Sequence, residues 1–206
     1  MRMRQNRFKY KPEHVDCTLC TKWRTRPKGC SVPSCPWLAE RIEAGVVSYR
    51  DAVMALFQHW PMLLPRVKVL ASLSAQLWAD THHAARMEGL KAVVGYSPIA
   101  TTPQYYAAEY LLSSNRSILA HTRRCFDRRG IDFSYAERSK LSIHEYTLLK
   151  AAESLYCNTD GLTGNDLADP DVVGREAFQL IVNALLIANY GLAALKLKSY
   201  KDGDWE

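Results

Sequence analysis

Four cysteines near the start of this 206-residue chain, Cys17, Cys20, Cys30 and Cys35, have the types and spacing that bind metal. They read C-x2-C-x9-C-x4-C. Zinc takes four soft or borderline donors in a tetrahedron, and thiolates satisfy it. A C-x2-C pair lets two sulfurs converge from one tight turn. Gly29 and Pro33 flank a second turn that would supply the other two. Nine intervening residues suffice for an excursion that closes over the ion. Lys22, Arg24, Arg26 and Lys28 lie on that excursion, where positive charge favours the deprotonated thiols. Four cysteines close the shell, so the expected Zn2+ is structural; a catalytic zinc keeps a position open. A segment this polar orders itself only with the metal. Two alternatives stay open at this point. His14 could replace a cysteine, or the thiols could be free or paired as disulfides.

Charge is concentrated in the same segment. Residues 1–35 carry nine Lys/Arg against Glu13 and Asp16, a net of +7. The other 171 residues carry 18 bases and 19 acids, a net of −1. A concentrated positive field attracts phosphates or an acidic protein face. Phe8, Tyr10, Trp23 and Trp37 are interleaved with these bases. They would either stack on single-stranded bases or close a small core over the metal.

Other chemistry finds little support. There is no P-loop, no G-x-G-x-x-G and no G-x-S-x-G. His144-Glu145 opens like H-E-x-x-H, but Leu148 stands where the second histidine belongs. Asp80, His82, His83 and Glu88 form a small cluster, suited to a second metal or to acid–base work, or to a plain polar helix face. Arg123, Arg124 and Arg128 lie in the run His121–Arg129, read as a basic helix with Arg124 and Arg128 on one face. Cys125 and Cys157 read as buried small hydrophobes.

The elements that must position these residues are helical. Pro36 and Gly45 bracket a helix over Trp37–Ala44. Ser48 with Asp51 opens Tyr49–Trp60. Pro65 opens a long helix to about Val94, with Val67, Leu70, Leu73, Leu77 and Trp78 at helical spacing. Thr102-Pro103 opens Gln104–Leu112, and Asn115 opens Arg116–Arg129. Ser142-x-x-Glu145 is a full capping box for Ile143–Cys157. The last helix runs from Arg175 to Asn189, and Gly191 breaks it before Leu192–Leu197. Phe178–Leu195 is the most apolar stretch and reads as a buried core helix, not a membrane span. No apolar run follows the basic N-terminus, so no signal peptide is expected. The expectation is an all-α fold: about seven helices in an irregular multi-helix bundle (36–206) behind a small N-terminal four-cysteine zinc module (1–35), in the cytoplasm.

Longer patterns carry a resemblance. The opening F8-K-Y-K-P-E-H-V-D-C-T-L-C20, then G29-C30, then C35-P-W-L-A-E-R-I-E-A-G45 with Tyr49, resembles a family of small proteins from prophages and integrative conjugative elements of gut Firmicutes. The Ala108–Leu112 pattern A-x-Y-L-L and L167-A-D-P-D fit the same family. Such elements carry anti-CRISPR proteins, among them zinc-bearing type II-A inhibitors of Cas9. The resemblance implies a non-enzymatic protein that binds Cas9 or another CRISPR effector in a bacterial host cell and blocks target-DNA loading. A basic chain would grip the effector instead of imitating DNA. Composition points to the alternative, a nucleic-acid-binding accessory protein of a mobile genetic element. Neither reading involves a membrane or a small-molecule substrate. The residues expected to meet a partner are Arg24, Arg26, Lys28, Arg123, Arg124 and Arg128.

Overall fold

The computed structural model describes residues 9–32, 35–73, 75–95 and 99–198. Helix accounts for 61% of the structure and strand for 6%, which makes it mainly α. Nine α-helices occur among the described residues: α1 (Leu38–Glu43), α2 (Tyr49–Phe57), α3 (Leu64–Ala71), α4 (His83–Val94), α5 (Pro103–Leu112), α6 (Arg116–Thr122), α7 (Ile143–Cys157), α8 (Gly164–Ala168) and α9 (Arg175–Tyr190). Two short antiparallel hairpins join them. One is β1 (Trp23–Thr25) with β2 (Lys28–Cys30), and the other is β3 (Phe126–Asp127) with β4 (Gly130–Ile131).

Most helix starts follow from their caps. The Ser48 hydroxyl accepts from Asp51 N–H at 3.1 Å, and the Asn115 side chain accepts from Ile118 N–H at 2.9 Å. The Ser142–Glu145 box is closed in both directions. Each such cap satisfies an otherwise orphaned donor and stabilises by about 1 kcal/mol.

Helix α5 is the centre of the molecule. Tyr105 and the whole run Ala107–Leu112 are buried. A helix buried on nearly every side must be covered all round, and α9, α7, α4 and α6 do this. Helix α9 is the second core element, with Ala177, Phe178, Leu180–Ala184, Leu186 and Ile187 buried. Arg175–Lys196 is long and apolar enough to cross a membrane by length and composition. Here α9 instead packs on α5, α7, α1 and α2.

The expected helix from Pro65 to Val94 is two helices, because the body takes the linking backbone for itself. Asn183 and Gln179 donate to the Gln76 carbonyl at 3.1 and 2.7 Å. The Tyr110 hydroxyl donates to the Leu77 carbonyl at 2.6 Å. Carbonyls held this way are not free to continue a helix. Leu77 and Trp78 keep helical spacing but lie in an irregular segment packed on the core.

The expected basic helix Arg116–Arg129 also breaks. It gives way after Thr122 to a single 3-10 turn (Arg123–Cys125) and then to the β3–β4 hairpin. Asp127 accepts from the N–H groups of Arg129 and Gly130 at 2.6 and 3.1 Å, a local bond that competes with the helix. Gly130 has φ 132, and a Cβ there would collide with the Tyr156 hydroxyl. Arg124 and Arg128 therefore do not share a helix face. Cys125 is buried, as expected, whereas Cys157 is exposed.

Among the described residues, a buried carboxylate stands without a partner. Glu109, on α5, is fully buried, and neither carboxylate oxygen has a hydrogen-bond partner. Burial pushes its pKa up to about 8; Lys91 opposes that shift and Glu88 adds to it. The folded protein thus holds this proton at pH 7, where an unfolded glutamate has released it. The stability gained from the proton is complete below about pH 4.5 and is lost as pH rises towards 8. Glu109→Gln should therefore be more stable than the parent at pH 7 to 9, and the gain should vanish at about pH 4. Urea unfolding across that range checks it, and a pH-independent difference would contradict it.

Candidate metal centre

Local hydrogen bonds shape the turn that carries Cys17 and Cys20 and set Cys30 beside it. Asp16 accepts from the N–H and hydroxyl of Thr18, both at 2.8 Å, which opens a 3-10 turn over Cys17–Leu19. Cys20 N–H donates to the Cys17 carbonyl at 3.1 Å, and Trp23 N–H donates to the Cys20 carbonyl at 3.0 Å. The nine-residue excursion is the β1–β2 hairpin. Its register pairs Trp23 with Cys30, which returns Cys30 to the neighbourhood of the Cys17–Cys20 turn.

Cys17, Cys20, Cys30 and Cys35 border one cavity of about 210 Å3. Its other walls come from Trp23 on the hairpin, Leu38 and Arg41 on α1, and Asp51 and Ala55 on α2. All four are free cysteines. Among the described residues no three His, Cys, Asp or Glu side chains are gathered tightly enough to enclose an ion. Binding a metal would draw the sulfurs inward across the cavity. His14 does not border this cavity. It lines the adjacent cleft, where Nδ1 accepts from Lys11 N–H at 3.1 Å.

Arg41 tests the fit. Its Nε–H is buried and has no acceptor among the described residues, although a buried donor is normally satisfied. Arg41 borders both the cysteine cavity and the adjacent cleft. A metal with four thiolates carries a net negative charge and accepts N–H···S bonds, which answers an orphaned guanidinium donor. The donor set and Arg41 together therefore fit a tetrathiolate metal, with Cys17, Cys20, Cys30 and Cys35 as the residues that would hold it. Sequence reasoning missed Arg41 because it lies outside the cysteine motif and becomes a neighbour only when α1 docks.

The other candidate residues separate. Arg24 and Arg26 are exposed on the hairpin beside exposed Lys22, and none of the three makes an ion pair among the described residues. The side chain of Lys28 lies outside the described residues, as do Phe8 and Pro33. Trp23 is half-buried in the cavity wall, whereas Trp37 is 57% exposed and borders the adjacent cleft with Tyr10. Arg123 and Arg124 are exposed on the turn after α6, and Arg128 on the second hairpin.

The Asp80–His83 cluster has structural partners. His83 is fully buried; Nδ1 accepts from Ala79 N–H at 3.1 Å and Nε2 donates to the Tyr110 carbonyl at 2.7 Å. Burial drives its pKa down to about 4 and Arg86 adds to the shift, so the ring is neutral. Asp80 pairs with Arg86 at 2.9 Å, and Glu88 pairs with Lys91 at 2.6 Å. His82 is exposed. No protein-family model, curated protein or solved structure matches this chain.

Two outcomes check the centre. Purified protein should carry one zinc per chain by elemental analysis, and chelation should remove the cavity and hairpin order while leaving most of the helical circular dichroism. Arg41→Leu should weaken zinc binding roughly 10- to 100-fold in a chelator competition, with the helical signal intact. Unchanged affinity would mean that Arg41 does not answer the thiolates.

Proposed function

We propose that this chain is a non-enzymatic, zinc-containing nucleic-acid-binding protein of the bacterial cytoplasm. In this reading the metal fixes the β1–β2 hairpin as a rigid basic projection. The observation that carries it is the placement of Lys22, Arg24 and Arg26, all solvent-exposed and without ion-pair partners among the described residues, on the short hairpin that also sets Cys30. Unpaired cations on a rigid support suit phosphates, because little side-chain and backbone freedom remains to be lost on binding. Lys28 would add to this charge.

A second reading is binding to Cas9 or another CRISPR effector, as the family resemblance implies. Trp37 and Leu19 are 57% and 81% exposed and border the cleft beside the cysteines. An exposed tryptophan in such a cleft suits a protein partner.

The test is fluorescence anisotropy with labelled single- and double-stranded oligonucleotides, alongside a target-DNA gel shift with a Cas9–guide complex. The nucleic-acid reading expects binding that weakens steeply with salt. Arg24→Glu/Arg26→Glu should lower the affinity at least about tenfold and flatten the salt slope by about 1.5. No binding at low salt removes this reading. Normal target binding and cleavage by Cas9 in the presence of excess protein removes the second.

A further inference from the structure

A groove of about 330 Å3 lies between α4 and α6. Arg116, Leu119, Ala120 and Arg123 border it from α6 and the turn that follows. Their i, i+3, i+4, i+7 spacing places them on one face. Arg86 and Gly89 border it from α4, and none of its lining residues is acidic. Arg116 and Arg123 are exposed and make no ion pair among the described residues.

Arg86 is anchored. Its Nε donates to the Ser113 carbonyl at 2.7 Å and Nη2 donates to Asp80 at 2.9 Å, with the Ser114 carbonyl as a further acceptor. Among the described residues no bond engages Nη1. The exposed guanidinium groups of Arg116 and Arg123 thus border the groove together with anchored Arg86 and the small residues Gly89 and Ala120. Burial of Leu90 and half-burial of Leu119 tie the two helices together beneath it.

We infer that this groove binds the phosphodiester backbone of a nucleic-acid strand, as a second contact site apart from the β1–β2 hairpin. Guanidinium forks match phosphate oxygens in pairs. Seven residue steps from Arg116 to Arg123 span about 10.5 Å, enough for the two arginines to face two phosphates of one strand. Asp80 is paired with Arg86 behind the groove, and Arg116 and Arg123 supply the exposed charge that a strand would meet. The choice of ligand rests on the nucleic-acid reading above; the site does not depend on the hairpin or its metal.

Gly89 provides a direct test. It is helical and exposed, and a Cβ there meets nothing within 4 Å. Gly89→Glu should fold at least as well as the parent, because glutamate is the better helix former, and it places a carboxylate in the groove. With a fluorescein-labelled oligonucleotide of about 20 nucleotides, G89E and Arg116→Gln/Arg123→Gln should each weaken binding about tenfold. The double variant should flatten the salt slope by about 1.4, the loss of two phosphate contacts on a single strand. If both bind like the parent while Arg24→Glu/Arg26→Glu weakens, the groove is overturned and the hairpin reading stands. If the groove variants weaken binding and the hairpin variant does not, the hairpin reading fails and the groove stands. A protein that binds an acidic peptide of polyglutamate but no oligonucleotide overturns the groove's assignment to nucleic acid.

Discussion

The Asn183 carboxamide holds the helical body in register. Its oxygen accepts from the Tyr49 hydroxyl at 2.8 Å, and its nitrogen donates to the Tyr110 hydroxyl and the Gln76 carbonyl, both at 3.1 Å. These partners lie on α2, on α5 and in the segment between α3 and α4, while Asn183 is on α9. One buried amide therefore uses both donor hydrogens and an acceptor to join four parts of the chain. In a low-dielectric interior such a group is costly unless fully paired. That requirement holds the Gln76 backbone against α9. It also places His83, whose ring packs 4.6 Å from that of Tyr110 and donates to its carbonyl.

Arg66 does similar work at the other end of the core. It donates to the carbonyls of Leu167 and Val173, both at 2.6 Å, and its guanidinium lies 4.2 Å from the centre of the Phe178 ring. The loop between α8 and α9 is thereby held against α3. The Lys198 carbonyl accepts from Tyr49 N–H at 2.9 Å, tying the chain after α9 to the start of α2. The helices that wall the cysteine cavity, α1 and α2, are thus anchored to the core before any metal is considered. Val47, in the loop between them, belongs to the core and borders the cavity as well. The expected boundary near Cys35 falls within that wall, so the cysteine segment and the helical body share one structural seam.

Net charge conceals where the charge lies. The segment after residue 35 sums to −1, yet many of its acids are engaged. Asp80, Glu88, Glu137 and Glu153 are in ion pairs, and Asp127 and Asp166 cap backbone N–H groups. Several arginines, among them Arg116 and Arg123, have no such partner among the described residues. Pairing removes most of an acid's field at the surface, so unpaired cations dominate locally even in a body that is neutral overall.

The sequence by itself determined what short-range chemistry controls. The cysteine spacing called for two turns and an excursion between them, and Ser48, Thr102, Asn115 and Ser142 marked four helix starts, because caps and turns act within three or four residues. The β1–β2 pairing was not legible: three-residue strands carry no usable alternation. Only the tertiary structure decided that Leu77 and Trp78 leave the helix, since Asn183 and Tyr110 claim that backbone from across the core. It alone separated exposed Trp37 from half-buried Trp23, put Arg41 beside the cysteines, and resolved Asp80, His83 and Glu88 into separate local pairings. For Leu77, Trp78, Trp23 and Arg41 the deciding partner is distant in sequence or lies on another element, and no pattern of spacing encodes it.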